Sequence, residues 1–404
     1  MGLEDIPSGE RVHIAFFGAR NAGKSSLANA VTGQDLAVVS EVKGTTTDPV
    51  RKAMELLPLG PVVVIDTPGL DDDDPRLGEE RVGRARRILS ETDIAVIAVD
   101  PKAGFGDLEK GLVSLLKERS IPYVTALTKA DLHPAEAASL AASLGADSMA
   151  VSTKTLEGVR ELKEKIASLA RLRPAERRLV GDLLERGDLC VLVVPIDASA
   201  PKGRLILPQQ QVLRDILDSH ASAVVCQVEE LEGTLARLSA PPRIVITDSQ
   251  AFEKVAAIVP RGVPLTSFSI LFARYKGDLA KLASGAKALL SLKDGDEVLI
   301  SEGCSHHRQC GDIGTEKIPA WIRAKTGAEL KFSFTSGRDF PDAAALSRFA
   351  LVVHCGGCML NAREMESRME AASRANVPMV NYGMAIAALK GVLTRSLEPF
   401  EKSN

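Results

Sequence analysis

Residues 12–25 read Val12-His-Ile-Ala-Phe-Phe17, then Gly18-Ala-Arg-Asn21-Ala22-Gly23-Lys24-Ser25. The first six form a short, mainly apolar run that predicts a buried strand. The next eight place two Gly around four residues and end in Lys and Ser, which is the phosphate-loop pattern. Glycine lets the backbone wrap closely, so its N–H groups can point at phosphate oxygens. Lys24 is expected on the terminal phosphates and Ser25 on a Mg²⁺, with the following helix aiming its positive end at the anion. So short a pattern also arises by chance. Its place between a strand and a helix, and the segments after it, give it weight.

Working outward, Asn21, Ala22, Gly23, Lys24, Ser25 and Ser26 are the expected nucleotide contacts of this loop. Val62-Val-Val-Ile-Asp66 reads as the next strand and ends in Asp66-Thr67-Pro68-Gly69. A carboxylate there can hold Mg²⁺ through water, and the Gly69 N–H can sense a γ-phosphate. Between them, Gly44-Thr45-Thr46-Thr47-Asp48 is a polar segment suited to closing on metal and γ-phosphate, with Thr46 as its metal ligand. Lys24, Thr46, Asp66 and Gly69 are therefore the expected catalytic set. Ile94–Val99 and Tyr123–Leu127 read as further strands, alternating with helical stretches near 79–92 and 106–119. Such alternation predicts a parallel sheet covered on both faces.

Thr128-Lys129-Ala130-Asp131 resembles the Asn-Lys-x-Asp guanine-reading motif of small GTPases, with Thr for Asn. Asp131 would accept two hydrogen bonds from guanine N1–H and the exocyclic amine, an arrangement adenine does not offer. Ser152-Thr153-Lys154 resembles the loop that closes over the base. The expected ligand is GTP with Mg²⁺. Thr128 puts the bracing amide of the motif in question. Leu70 stands where Ras-like enzymes carry a water-orienting Gln, which predicts slow intrinsic hydrolysis. Asn21 resembles the potassium-activated TrmE and Era-like GTPases, where that Asn helps to hold K⁺ and the cation replaces an arginine finger. A local turn bond explains Asn21 equally well. Asp71–Asp74 invites a metal reading, but four adjacent carboxylates fit a solvated switch segment better.

At 404 residues the chain exceeds one ordinary core. Apolar residues at 45% and charged residues at 25% describe a globular protein. A net charge of -3 makes no case for nucleic acid or an anionic membrane. No apolar run approaches membrane-spanning length, so the expected location is cytoplasmic. Six Cys in such a chain argue for ligands or buried thiols over disulfides.

The expected fold class is α/β: a P-loop GTPase domain over 1–172, then two smaller domains with largely parallel sheets over 173–266 and 267–404. The middle segment offers strands at Leu189–Val194, Ala223–Val228 and Arg243–Thr247, with helices near 175–186, 208–219 and 249–257. Cys190 and Cys226 lie inside those apolar runs and read as buried, inert thiols. With no chemistry-bearing motif, this segment is a candidate for dimerisation through a sheet edge.

In the last segment, Ser267–Leu292 reads as one long helix, and Asn361–Asn376 as another. The strand Glu297–Ser301 leads to Cys304-Ser-His306, and the strand Phe349–Val353 leads to His354-Cys355-Gly-Gly-Cys358. In a parallel sheet both cysteine stretches would lie at carboxyl strand ends, on one edge. Cys355 and Cys358 on a Gly-Gly turn can share a metal, and Cys304 gains weight from its matching position. His306 and His354 are candidate ligands, or donors behind the ligands. Cys310 reads as a bystander that could supply a fourth thiolate. Three thiols suit a 4Fe-4S cube with one exchangeable iron, while three Cys and one His would make a closed structural zinc site.

A GTPase segment followed by Cys304-x-His306 and then His354-Cys355-x-x-Cys358 resembles the HydF family of FeFe-hydrogenase maturation GTPases across essentially the whole chain. The resemblance implies a homodimeric scaffold with a 4Fe-4S cluster on Cys304, Cys355 and Cys358. It further implies a transient diiron precursor made by radical-SAM maturation enzymes and handed to the apo FeFe-hydrogenase. Thr128 and Cys310 depart from the pattern. The competing reading is a GTP-dependent RNA or ribosome-associated factor with a structural zinc domain, which the acidic charge and lack of a basic, aromatic-rich face weigh against.

Overall fold

The apolar runs fold as the inner strands of three sheets in a computed structural model that describes residues 8–34, 49–68, 87–171, 177–196, 205–303, 312–337 and 339–401. The chain divides into two units, Met1–Glu176 and Arg177–Asn404. In the first, β1 (Val12–Phe17), β2 (Val50–Leu56), β3 (Gly60–Asp66), β4 (Ile94–Val99), β5 (Tyr123–Leu127) and β6 (Ser148–Ala150) form one sheet in the order β2-β3-β1-β4-β5-β6. All neighbours are parallel except β2, which runs antiparallel to β3. Every residue of β4 is buried, as the unbroken apolar run of a strand covered on both faces requires.

Strand β2 escaped the sequence reading because Arg51, Lys52 and Glu55 interrupt its apolar pattern. It lies at the sheet edge, where charged side chains reach solvent and discourage further pairing. The helix Lys24–Thr32 follows the phosphate loop and buries Leu27, Ala28 and Val31. Asp107–Glu118 is helical, as expected near 106–119, and the helical turn at 87–91 is the described part of the helix expected near 79–92.

The second unit holds two four-stranded sheets, parallel throughout. One contains β7 (Leu189–Val193), β8 (Ser222–Cys226), β9 (Ile244–Thr247) and β10 (Leu265–Ser267), ordered β10-β9-β7-β8. The other contains β11 (Glu297–Glu302), β12 (Lys331–Ser336), β13 (Leu351–His354) and β14 (Met379–Asn381), ordered β12-β11-β13-β14. The expected helix near 175–186 is not formed in its described part, which holds only a short 3-10 turn at Gly181–Leu183. The Val180 and Gly181 amides instead donate to Asp215 Oδ2, each at 2.8 Å, and so are lost to a helical ladder.

The expected long helix over 267–292 is two helices, Phe268–Lys276 and Leu279–Leu289. They part at Gly277, where a Cβ would lie 2.8 Å from Met369 Sδ. Asp278 then caps the second helix, its Oδ1 accepting from the Lys281 amide at 3.0 Å. Phe268, Leu271 and Phe272 of the first helix pack in the core beneath β7 and β9, while Ile270 and Ala273 pack in the core of the β11–β14 sheet. The last helix, Leu393–Glu401, returns to the β7–β10 side: Thr266 Oγ1 donates to the Ser396 carbonyl at 3.0 Å, and Arg395 Nη2 to the Val259 carbonyl at 2.6 Å. Among the described residues, no helix is long and apolar enough to cross a membrane.

Candidate nucleotide site and cysteine loop

The phosphate loop turns between β1 and its helix through Asn21 and Gly23, both with left-handed φ, 62° and 82°. Gly18 passes so close to β4 that a Cβ would lie 2.3 Å from the Ala98 carbonyl oxygen. The helix begins at Lys24 with no side-chain cap on its first amides, the arrangement in which an anion can take that role. Ala22 and Lys24 are buried, and Lys24 Nζ donates to the Ala19 carbonyl at 2.6 Å. Ser25 Oγ donates to Asp66 Oδ2 at 2.6 Å, which brings the two expected Mg²⁺ groups together.

Asp66 Oδ1 is buried and has no hydrogen-bond partner among the described residues. Burial pushes the Asp66 carboxyl above the usual carboxylate range, against the opposing Ser25 hydrogen bond and Lys24 charge. A desolvated carboxylate oxygen without a donor, beside a hydroxyl, fits a Mg²⁺ water shell. Thr67 fixes this strand end by donating Oγ1 to the Phe16 carbonyl at 2.6 Å. Thr46 and Gly69 lie outside the described residues, as do Leu70 and Asp71–Asp74.

On the base side, Thr128 is buried and its Oγ1 donates to the Ala22 carbonyl, at 2.7 Å, with the Val99 carbonyl at 3.1 Å. The hydroxyl thus ties the base motif to the phosphate loop. Lys129, at φ 52°, reaches the Asn21 carbonyl at 2.9 Å and Asp100 Oδ2 at 2.7 Å. Ser152 Oγ donates to Asp131 Oδ1 at 2.8 Å and accepts from the Lys154 and Thr155 amides at 3.3 and 3.1 Å. One buried hydroxyl therefore aims the Asp131 carboxylate and shapes its neighbouring loop. Thr153 is half-buried, and Lys154 and Ser26 are exposed. Asp100 is a partner the sequence reading missed; it stands directly after β4, facing the motif lysine.

In the second unit, β11 and β13 are parallel neighbours with Ser301 opposite His354. The cysteine stretches therefore leave the same sheet edge. Cys355 donates its amide to the Ser301 carbonyl at 2.9 Å, and its Sγ accepts from the Gly303 amide at 3.0 Å and the Gly357 amide at 3.4 Å. Gly303 immediately precedes Cys304. Gly357 turns at φ 62°, where a Cβ would lie 2.7 Å from Met365 Sδ. Backbone N–H groups aimed at a sulfur suit a thiolate or a thiolate-held cluster. Cys358 is half-buried two residues beyond the turn. Cys304, His306 and Cys310 lie outside the described residues, and among the described residues no three His, Cys, Asp or Glu form a metal-holding group.

His354 is fully buried with both ring nitrogens engaged. Arg368 Nη1 donates to Nε2 at 2.9 Å, so Nδ1 carries the proton given to the Cys355 carbonyl at 2.7 Å. Burial, with the Arg368 charge, pushes its pKa down to about 3. This arrangement leaves neither nitrogen for a metal, and His354 acts on the loop through the Cys355 backbone instead. Arg368 in turn donates to Glu364 Oε1 and the Gly337 carbonyl, both at 2.7 Å. Tyr382 donates to Glu302 Oε1 at 3.3 Å, and burial together with the Glu302 and Cys355 charges pushes its phenol far above the usual range.

The sequence reading missed Lys276, a buried residue whose Nζ donates to the Gly357, Cys358 and Leu360 carbonyls at 3.0, 3.3 and 2.8 Å. Its only sequence signal is that it closes a largely apolar helix, two residues after a second cation, Arg274. Cys190 is buried as expected, and burial raises its thiol to about 12. Cys226 is less enclosed than expected because β8 is an edge strand; burial still raises its pKa.

Comparison with known proteins matches three separate stretches of the chain. The 50S ribosome-binding GTPase family matches residues 13–129. The tRNA modification GTPase MnmE of Neisseria meningitidis serogroup C is 34% identical over 158 residues, covering 39% of this chain and 34% of that protein. MnmE of Chromobacterium violaceum is 34% identical over 160 residues, covering 40% and 35%. The chain thus spans about a third of the length of these curated relatives. Among solved structures, Aquifex aeolicus Era is 18% identical, covering 53% of this chain and 93% of that one with a TM-score of 0.34. The G domain of the T. maritima FeoB iron transporter is 27% identical, covering 40% and 99% with a TM-score of 0.30. The hydrogen maturase F dimerization domain matches residues 179–277, and the hydrogen maturase F tetramerization domain matches residues 280–399. With those two domains taking in more than half of its residues behind a GTPase domain, the chain belongs to the hydrogen maturase F family.

Proposed function

We propose that this protein is a GTP-hydrolysing scaffold that carries a 4Fe-4S cluster and a diiron precursor and delivers the precursor to apo FeFe-hydrogenase. The observation that carries the reading is the shared edge of β11 and β13. It sets Gly303, next to Cys304, against the Cys355 sulfur. Cys304, Cys355 and Cys358 would hold the cluster and leave one iron open. The residues present fit the group: amides converge on one sulfur, and glycines stand where a side chain would obstruct the loop. The cluster would supply an exchangeable iron for the precursor or its anchoring group.

In the GTPase domain, Lys24 and the loop amides of Asn21–Ser26 would hold the phosphates, with Ser25, Thr46 and Asp66 on Mg²⁺ and Gly69 on the γ-phosphate. Asp131, with Thr128, Lys129 and Ser152–Lys154, would read guanine. Asn21 would favour K⁺ as the activating cation. GTP turnover would reorder the segments near 34–49 and 69–80 and thereby bias domain orientation and partner release. Division into 1–172, 173–266 and 267–404 gives each task its own part, in a cytoplasmic homodimer served by radical-SAM enzymes. The middle part would pair through β8, an edge strand with Val225 44% exposed and Ile196, just after β7, 75% exposed.

The test is hydrogenase activation in vitro with wild type, Lys24→Ala and Cys355→Ser. Both variants are expected to lose activation, the first with its GTP turnover and the second with turnover intact. Full activation by a Lys24→Ala protein that no longer hydrolyses GTP would end the coupling proposal.

A further inference from the structure

We propose that Lys276 is the positioning residue of the cysteine loop, holding it from the neighbouring sheet and placing a fixed positive charge behind it. This rests on the cluster reading above. An ammonium has three N–H donors, and Lys276 directs them at three carbonyls of one turn, Gly357, Cys358 and Leu360. It is only 2% exposed, so its charge lost its water on folding, and these carbonyls stand in for that hydration. They begin one residue before Cys358 and end two after it, so the ammonium fixes where the Cys358 side chain leaves the backbone.

The support runs further back. Lys276 ends the helix Phe268–Lys276, which starts directly after Ser267 of β10 and is packed in two of the cores of the second unit, one beside each sheet. Arg177 Nη1 donates to the Gly277 carbonyl at 2.9 Å and holds the helix end. The Lys276 ammonium also lies 5.8 Å from the centre of the Phe272 ring, which belongs to the core beneath β7 and β9. The cysteine loop is thus tied to an element rooted in the dimerization-domain sheet. A 4Fe-4S core with three thiolates is anionic and becomes more so on reduction, so a fixed cation behind the loop would favour the reduced form. Groups behind metal ligands commonly change metal affinity about 10–100-fold when removed.

The test compares wild type, Lys276→Met and Lys276→Arg as full-length protein in two assays, after far-UV circular dichroism and thermal melting have checked the fold. In metal-free protein, iodoacetamide labelling of Cys358, read by mass spectrometry, should rise several-fold in Lys276→Met. In anaerobically reconstituted protein, iron loss to a chelator should be about tenfold faster or more. Its cluster midpoint should also be more negative, and Lys276→Arg, which keeps the charge, should restore the midpoint. Wild-type labelling, chelation and midpoint in Lys276→Met would overturn the inference. Should Lys276→Met not fold, Lys276→Gln enters the same assays, and wild-type behaviour there is equally decisive. A wild type that takes up no iron would instead remove the cluster reading, while the labelling assay would still decide whether Lys276 holds the loop.

Discussion

Replacing Thr128 with Val keeps the side-chain shape and removes one buried hydroxyl. That hydroxyl donates to the Ala22 carbonyl in the phosphate loop at 2.7 Å and also lies 3.1 Å from the Val99 carbonyl. The Val99 carbonyl keeps another donor, the Thr128 amide at 2.8 Å, so the cost of the change falls on Ala22. Thr128 is 1% exposed, and water does not readily replace the lost bond. A buried acceptor deprived of its donor costs about 1–3 kcal/mol. In a unit of this size each kcal/mol lowers Tm by roughly 2–4 °C. Calorimetry of the nucleotide-free protein should show that loss in the first unit's transition. Titration with a fluorescent GDP should show binding weakened about fivefold or more, since loop order worth ~1 kcal/mol must now be supplied on binding. Thr128→Ser, which keeps the hydroxyl, should bind close to wild type. A Thr128→Val protein with unchanged melting and affinity would refute the proposed brace between base motif and phosphate loop.

The raised carboxyl of Asp66 gives a pH prediction. Relative to the unfolded chain its neutral form is favoured, so its contribution is complete below the usual carboxylate range and lost as pH rises through the folded value. Asp66→Asn should therefore maintain or raise Tm of the nucleotide-free protein at neutral pH while abolishing Mg²⁺-dependent nucleotide tightening; a lower Tm with Mg²⁺ dependence retained would contradict this. Asp182 behaves oppositely: burial raises its carboxyl, but the hydrogen bond and charge of Arg274 outweigh burial and hold it low. That stabilisation is present above the unfolded carboxylate pKa and fades as pH falls through the folded one. Because the pair is partly exposed, Asp182→Asn should cost at most about 1 kcal/mol at pH 7 and less at acid pH, measured by denaturant titration. Cys190, raised to about 12, should resist iodoacetamide at pH 8 until the protein is unfolded. Labelling at the rate of a free thiol would show that β7 is not buried as described.

The sequence was most legible where one chemical demand dominated. Apolar runs such as Ile94–Val99 gave strand limits that match the structure, because a strand covered on both faces has no exposed position to break its pattern. The parallel reading of the last segment placed Cys304 and Cys355 after carboxyl strand ends on one edge, and the structure adds that β11 and β13, which end there, are adjacent. Legibility failed where tertiary partners override local preference. Asp215, far along the chain, captures two amides of the expected helix near 175–186. The expected helix over 267–292 breaks at Gly277, whose backbone is extended and whose missing Cβ leaves room for Met369. Lys276 and Arg368 carry no motif; the role of Lys276 exists only once its helix end meets the 357–360 turn, and that of Arg368 only once its helix meets the end of β13. His354 looked available as a ligand because sequence does not reveal the guanidinium that occupies its second nitrogen.

The most direct measurement is iron, sulfide and zinc content of anaerobically purified protein, with electron paramagnetic resonance after dithionite reduction. The expected result is a brown protein with iron and sulfide in equal amounts and a reduced 4Fe-4S signal that disappears in Cys355→Ser and Cys358→Ser. A colourless protein with stoichiometric zinc and no iron signal would contradict the cluster scaffold.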